Sequence, residues 1–144
     1  MDAFAAAMDE LLANMYRHVV RMEKRVLEQN NRIPLSTSEL HLLTALGKKK
    51  GGCTMSTLAH SLGITPSSTT TAVSKLEKKG FVQRMRSPQD DRVVRVALTP
   101  KGKQVDMYYR ACLREMVEEL GRSFSLVEKD TLVKIVRKIN EYFQ

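Results

Sequence analysis

Between Pro66 and Lys75 the chain reads Pro-Ser-Ser-Thr-Thr-Thr-Ala-Val-Ser-Lys. Hydroxyl side chains compete for a helix's own backbone hydrogen bonds and lower its propensity. A helix carrying Ser67, Ser68, Thr70, Thr71 and Ser74 on one side therefore has a use for them. With Val73 and Leu76 turned inward, those five hydroxyls and Lys75 face out. Small hydrogen-bonding groups that can approach base edges, flanked by cations for phosphates, are what a helix lying in the major groove of duplex DNA requires. Hydroxyls donate or accept at several bases and their methyl groups touch the thymine methyl, so sharper guanine recognition falls to Lys75 or Arg92.

A second group lies between two β-prone runs, Phe81 to Arg86 and Arg92 to Leu98, joined by Ser87-Pro88-Gln89-Asp90-Asp91. Alternation of Val94, Val96 and Leu98 makes this a hairpin with a polar tip. Arg92 at that tip is placed to enter a minor groove, whose narrow A·T tracts attract a guanidinium. A carboxylate there repels phosphate, so Asp90 is expected to orient Arg92 or a backbone amide of the loop. Arg84, Arg86 and Arg95 are phosphate contacts or structural pairs.

Charge follows the same division. The formal net charge is +8, and between Gly47 and Lys103 twelve basic residues stand against Glu77, Asp90 and Asp91, while the flanks are close to neutral. A concentrated basic segment suits a polyanionic partner.

Other chemistries find little support. There is no Gly-rich phosphate loop, no His-Glu-x-x-His pair and no nucleophile with an identifiable base, which argues against an enzyme. His18, His41 and His60 fall on different predicted helices, so neither a metal site nor a cofactor is expected. His41 could hydrogen-bond an effector in a cleft, or serve packing or solvation. Cys53 and Cys112 are too few and too far apart for a disulfide framework. Cys53 follows a lysine run that favours thiolate, yet its place in a short strand argues for burial and a packing role. No stretch of about 18 apolar residues and no signal-peptide pattern occurs, so a cytoplasmic location without membrane contact is expected.

The elements that must position these groups can be read from periodicity and caps. Phe4, Met8, Leu11, Met15, Val19, Met22 and Val26 advance by steps of four and three, giving a long amphipathic helix with a narrow stripe, ended by Asn30-Asn31 and Pro34. Ser36 and Glu39 form a capping-box pair, with Leu35 and Leu40 as staple, opening a helix to about Leu46. Thr54 caps a short helix closed by Gly63. Thr65 and Pro66 start the hydroxyl-rich helix, which stops at Lys78-Lys79-Gly80. Two short helices around a tight Gly turn are the helix-turn-helix pattern. After the hairpin, Thr99-Pro100 opens a helix with Val105, Tyr108, Cys112, Met116 and Leu120 on one side, and Gly121 stops it. Ser125 and Glu128 cap a last helix with Leu132, Ile135, Val136, Ile139 and Phe143 as its apolar face.

Leu58-Ala59, Leu62-Gly63-Ile64, Leu76-Glu77-Lys78-Lys79-Gly80-Phe81-Val82, Asp90-Asp91-Arg92 and Leu98-Thr99-Pro100-Lys101-Gly102, in this order, resemble the MarR (multiple antibiotic resistance regulator) family across essentially the whole chain. The family's wing pattern of Asp, any residue, Arg, then Leu-Thr and a nearby Gly is met by Asp90, Arg92, Leu98, Thr99 and Gly102. Asp91 departs from the basic residue frequent between that Asp and Arg, which puts wing affinity in question.

The fold implied is mainly α with a small β-hairpin wing, a single domain over 1–144. Within it, 36–99 is a winged helix-turn-helix lobe, and 1–30 with 100–144 is a helical dimerisation region. The resemblance also implies a homodimeric repressor of transcription on double-stranded DNA, with a small-molecule effector. The Glu-x-His start of the second helix and the Arg-Val-Val run resemble the fatty-acid-synthesis repressor branch, which would make an acyl chain on carrier protein the corepressor. A winged helix that binds protein or structured RNA is the competing reading, since the fold alone does not choose the ligand.

Overall fold

The computed structural model describes residues 2–29 and 33–144. Asn30 and Asn31, expected to help end the first helix, lie outside the described residues, as does Met1. The elements in order are α1 (Ala3–Glu28), α2 (Thr37–Gly47), β1 (Cys53–Thr54), α3 (Met55–Leu62), α4 (Pro66–Lys78), β2 (Val82–Arg86), β3 (Val94–Leu98), α5 (Pro100–Gly121) and α6 (Leu126–Tyr142). The chain divides into two compact units, Met1–Arg110 and Ala111–Gln144. It is mostly helical, with one antiparallel sheet of order β1-β3-β2.

Local chemistry explains where each helix begins. Ser36 Oγ accepts from the Glu39 amide at 3.1 Å while Glu39 Oε2 accepts from the Ser36 amide at 3.0 Å, the reciprocal box that satisfies two orphan donors of α2. Ser125 and Glu128 repeat this at α6. Thr54 and Thr65 cap α3 and α4 by accepting from the Thr57 and Ser68 amides. Gly63 closes α3 at φ 64, a left-handed conformation that costs glycine no Cβ clash.

The core of the first unit is built where these elements meet. Leu40, Leu43 and Leu46 of α2, Leu58 of α3, Val73 and Leu76 of α4, Phe81, Val82 and Val96 are all essentially inaccessible to solvent. Val82 pairs with Leu98 and Arg86 with Val94, so one register runs the full length of the hairpin. Cys53 pairs with Val96 on the other side of β3. Burying an aromatic ring such as Phe81 contributes about 3 kcal/mol, and this ring sits at the junction between α4 and the sheet.

The helices outside this core remain largely uncovered. In the first unit Phe4, Leu11, Leu12, Met15, Tyr16 and Val20 are exposed along α1. In the second unit α6 has no buried residue at all, and Leu132, Val133, Ile135, Val136 and Phe143 are exposed.

Candidate nucleic-acid interface

Helix α4 is held by one narrow seam. Thr69, Val73 and Leu76, spaced by four and three residues, are its buried positions. Ser67, Ser68, Thr70, Thr71 and Lys75 are exposed, and Ser74 is half-buried. Thr69 shows why a hydroxyl-rich helix survives: its Oγ1 donates to the Thr65 carbonyl at 3.0 Å, so the hydroxyl can be buried without an unpaired donor. The same back-bonding recurs outside. Thr70 Oγ1 donates to Pro66 O at 3.0 Å and Thr71 Oγ1 to Ser67 O at 3.1 Å. Their hydroxyl hydrogens are thus engaged, and what α4 offers solvent at these two positions is oxygen lone pairs and methyl groups. Ser67 and Ser68 gather around Thr65 Oγ1 at the helix start, at 3.2 and 2.8 Å.

Each wing arginine finds a different use. Arg84 on β2 donates from Nη2 to Ser74 Oγ at 2.7 Å, with its Nε 3.7 Å from Glu77. Arg86 donates to the Asp91 carbonyl at 3.0 Å across the base of the loop, and Arg95 to the Gly52 carbonyl at 2.6 Å. Asp90 accepts at 2.9 Å from the backbone amide of Arg92, and the Val93 amide returns to the Asp90 carbonyl at 3.0 Å. The tip is therefore a small hydrogen-bonded turn, and the exposed guanidinium of Arg92 has no partner among the described residues.

Three ties that sequence reasoning did not anticipate fix the exit from α4. Lys79 donates to Glu39 at 2.8 Å, joining the first turn of α2 to the residue after α4. Thr99 Oγ1 donates to the Gly80 carbonyl at 2.6 Å, and its amide donates to the Phe81 carbonyl at 3.1 Å. Lys101 lies over the Phe81 ring at 4.4 Å and donates to the Lys79 carbonyl. Glu39 and Lys79 stand forty positions apart, beyond the reach of any spacing rule.

The carboxyl of Glu39 is nearly buried, and burial alone would push it up. Hydrogen bonds from Lys79 and the Ser36 amide, with the charges of Lys79 and Lys75, outweigh that and hold it below its ordinary range. A depressed carboxyl contributes stability above the unfolded pKa of about 4.3, lost as the pH falls through the folded value. Glu39→Gln should therefore cost about 1 kcal/mol of folding stability at neutral pH, from the weakened cap and lost ion pair. In denaturant titrations the gap to wild type should close below about pH 4; a gap constant with pH would refute this.

His41 reaches from α2 to Glu23 of α1, with Nε2 2.6 Å from Oε1. Glu23 is buried while the imidazole is about half exposed, 52%. Burial pushes the Tyr109 phenol up, and the adjacent Glu23 charge adds to that rise. His41 also lines an open cavity of about 580 Å³ between α2, α3 and α4, with Leu42, Leu62, Ile64, Ala72, Thr71 and Lys75 among its walls. Cys53 is buried, and desolvation raises its thiol against the pull of Lys49 and Arg95, the opposite of what a reactive thiolate needs. No cluster of three or more potential metal ligands occurs among the described residues. No described helix is long and apolar enough to cross a membrane.

A short helix, a Gly turn, a second helix with an exposed polar face and an antiparallel hairpin packed beside it together define a winged helix-turn-helix. Residues 35–94 match the MarR family, and the chain is similar to curated transcriptional regulators. Its likeness includes the FabT branch. The chain is 25% identical to the uncharacterised HTH-type transcriptional regulator YwhA of Bacillus subtilis, over 91% of this chain and 96% of that one. It is 27% identical to the transcriptional repressor MprA of Escherichia coli, over 85% of this chain and 73% of MprA. The crystal structure of Streptococcus pneumoniae FabT in complex with DNA superposes with a TM-score of 0.84 at 27% identity, covering 96% of each chain.

Proposed function

We propose that this regulator is a cytoplasmic repressor that binds a pseudo-palindromic operator as a homodimer, reading bases with α4 and an adjacent minor groove with Arg92. The observation that carries this reading is the pairing of an exposed hydroxyl face on α4 with an unpaired arginine on a pre-formed wing tip. FabT, bound to DNA in its solved structure, and MprA, a repressor, support it by likeness. Ser67, Ser68, Thr70, Thr71 and Lys75 are assigned to the base-facing side, and Arg86 and Arg92 to the wing contact. Large apolar side chains stand exposed along α1 and, separately, along α6, which supports a second copy as their cover. The dimerisation region accordingly comprises 1–30 and 100–144, and 36–99 is the reading lobe. A twofold dimer requires half-sites about 34–36 Å apart. Modulation by a small ligand or an acyl group on a carrier protein is part of this reading; the cavity at His41 shares Ser67, Ser68, Thr71 and Lys75 with the base-facing side, so a ligand seated there would compete with DNA.

Because Thr70 and Thr71 give their hydrogens to their own helix, they act on bases as acceptors and methyl contacts. Selection of bound duplexes from a random pool should return an inverted repeat, with log affinity falling against log salt by about 0.9 per phosphate contact. Thr70→Ala or Thr71→Ala should change which central bases are selected, and Thr71→Val should keep any thymine preference while losing the acceptor. Equal losses on every sequence would refute the threonine assignments. Salt-independent binding, or preference for structured RNA or a protein, would overturn the whole reading.

A further inference from the structure

We infer that Arg84 is a positioning residue that, through Ser74, fixes the wing against the recognition helix and so governs sequence specificity without touching DNA. The inference rests on the proposed reading of duplex DNA by α4 and Arg92. Arg84 sits in the middle of β2, opposite Val96. Its guanidinium crosses to α4, where Ser74 Oγ accepts from Nη2 at 2.7 Å and donates onward to the Thr70 carbonyl at 2.9 Å. Glu77, one turn further on, faces Arg84 Nε at 3.7 Å. A guanidinium with a hydroxyl acceptor at that distance and a carboxylate beside it forms a charge-assisted link with fixed geometry.

The other wing arginines do not reach α4. Arg86 and Arg95 bind carbonyls of Asp91 and Gly52, and Arg92 projects from the tip. Among the described residues the guanidinium of Arg84 is thus the side-chain hydrogen bond between the wing's strands and the recognition helix. Ser74 has its hydrogen and one lone pair engaged, and Glu77 offsets the charge of Arg84. Both facts set this pair apart from base readers and phosphate contacts. Specific binding needs α4 and Arg92 in neighbouring grooves at one spacing, whereas non-specific attraction to phosphates does not. A loosened wing must be ordered on binding the operator alone, so the loss falls on discrimination.

The test compares Arg84→Ala, Ser74→Ala, their double variant and Ser74→Thr, which keeps the hydroxyl. Amide hydrogen exchange of the DNA-free protein reads the clamp itself: wing amides of β2 and β3 should exchange faster in both single alanine variants, no faster in the double, and normally in Ser74→Thr. On a duplex selected by the wild-type protein, each alanine variant should bind about tenfold more weakly, the effect of one charge-assisted hydrogen bond, with no further loss in the double. Affinity for a scrambled duplex and the salt slope should not move. Unchanged exchange, or losses that multiply in the double variant, would overturn the clamp. A salt slope smaller by about one in Arg84→Ala, with equal weakening on every duplex, would make Arg84 a phosphate contact instead. If the wild-type protein selects no duplex, the DNA reading fails, while the exchange result still decides the clamp.

Discussion

Gly102→Ala is expected to lower folding stability by at least about 2 kcal/mol and the melting temperature by about 6 °C or more. Gly102 lies in the first turn of α5, where alanine ordinarily gains about 1 kcal/mol of helix propensity. Here a Cβ would lie 2.1 Å from the Phe81 carbonyl oxygen. That oxygen belongs to backbone held by the Thr99 amide, beside a ring that is itself 1% exposed, so it has little room to retreat. Overpacking against such an atom reaches the upper end of the usual range, about 3 kcal/mol, and outweighs the propensity gain. Because the strained segment is the exit from α4, operator affinity should fall further than stability predicts. Gly121→Ala is the control. Its Cβ would meet only the Lys129 side chain, at 3.6 Å, and thermal unfolding should show no loss. A stable Gly102→Ala protein with wild-type affinity would mean that the close approach is relieved at no cost.

The second large effect is on binding rather than folding. Arg92→Ala should weaken operator binding by about tenfold to a hundredfold, as loss of one well-placed groove contact does. The loss should be greatest where the flanks are A·T-rich. Stability should hardly change, since the side chain is exposed and the tip is organised through the backbone, with Asp90 accepting from the Arg92 amide. Arg92→Lys tests what the groove reads: a lysine keeps the charge but is more strongly hydrated and lacks the planar fork, so it should restore the salt slope and only part of the flank preference. Competition titrations on duplexes differing only in their flanks measure both. Identical losses on A·T-rich and G·C-rich flanks would remove Arg92 from the minor groove.

Much of the architecture was legible because it is written in short-range chemistry. The capping boxes at Ser36 and Ser125, the threonine caps at 54 and 65 and the left-handed Gly63 each act within about four residues, and the helices begin or end where those residues place them. The alternation expected along β3 does not appear in its burial: the strand starts at Val94, which is exposed, while Val96, Ala97 and Leu98 are all buried, because the inner end of β3 is covered on both faces and its outer end is not. The outward set on α4 follows from helical periodicity, except that Thr69 joins Val73 and Leu76 in the buried seam. Its burial needs the Thr65 carbonyl as acceptor, a bond invisible to a scale that counts threonine as polar. The Leu-Thr-Pro-Lys-Gly run was recognisable as a family pattern but not as physics. In the fold, Thr99, Lys101 and Gly102 all bear on Lys79, Gly80 and Phe81.

Local hydrogen bonds and hydrophobic spacing in the sequence thus determine which segments are helices or strands, which faces are apolar and where basic charge collects. Only the tertiary structure decided which cation does which work. Arg84, Arg86, Arg92 and Arg95 are equivalent as residue types on one hairpin, and they separate only when Ser74, Asp91 and Gly52 come within 3 Å of three of them. The reason is range: a backbone cap is completed by neighbours in the chain, whereas a long charged side chain takes whichever acceptor folding brings near, and acceptors 10 positions from Arg84 and 43 from Arg95 carry no local signal of it.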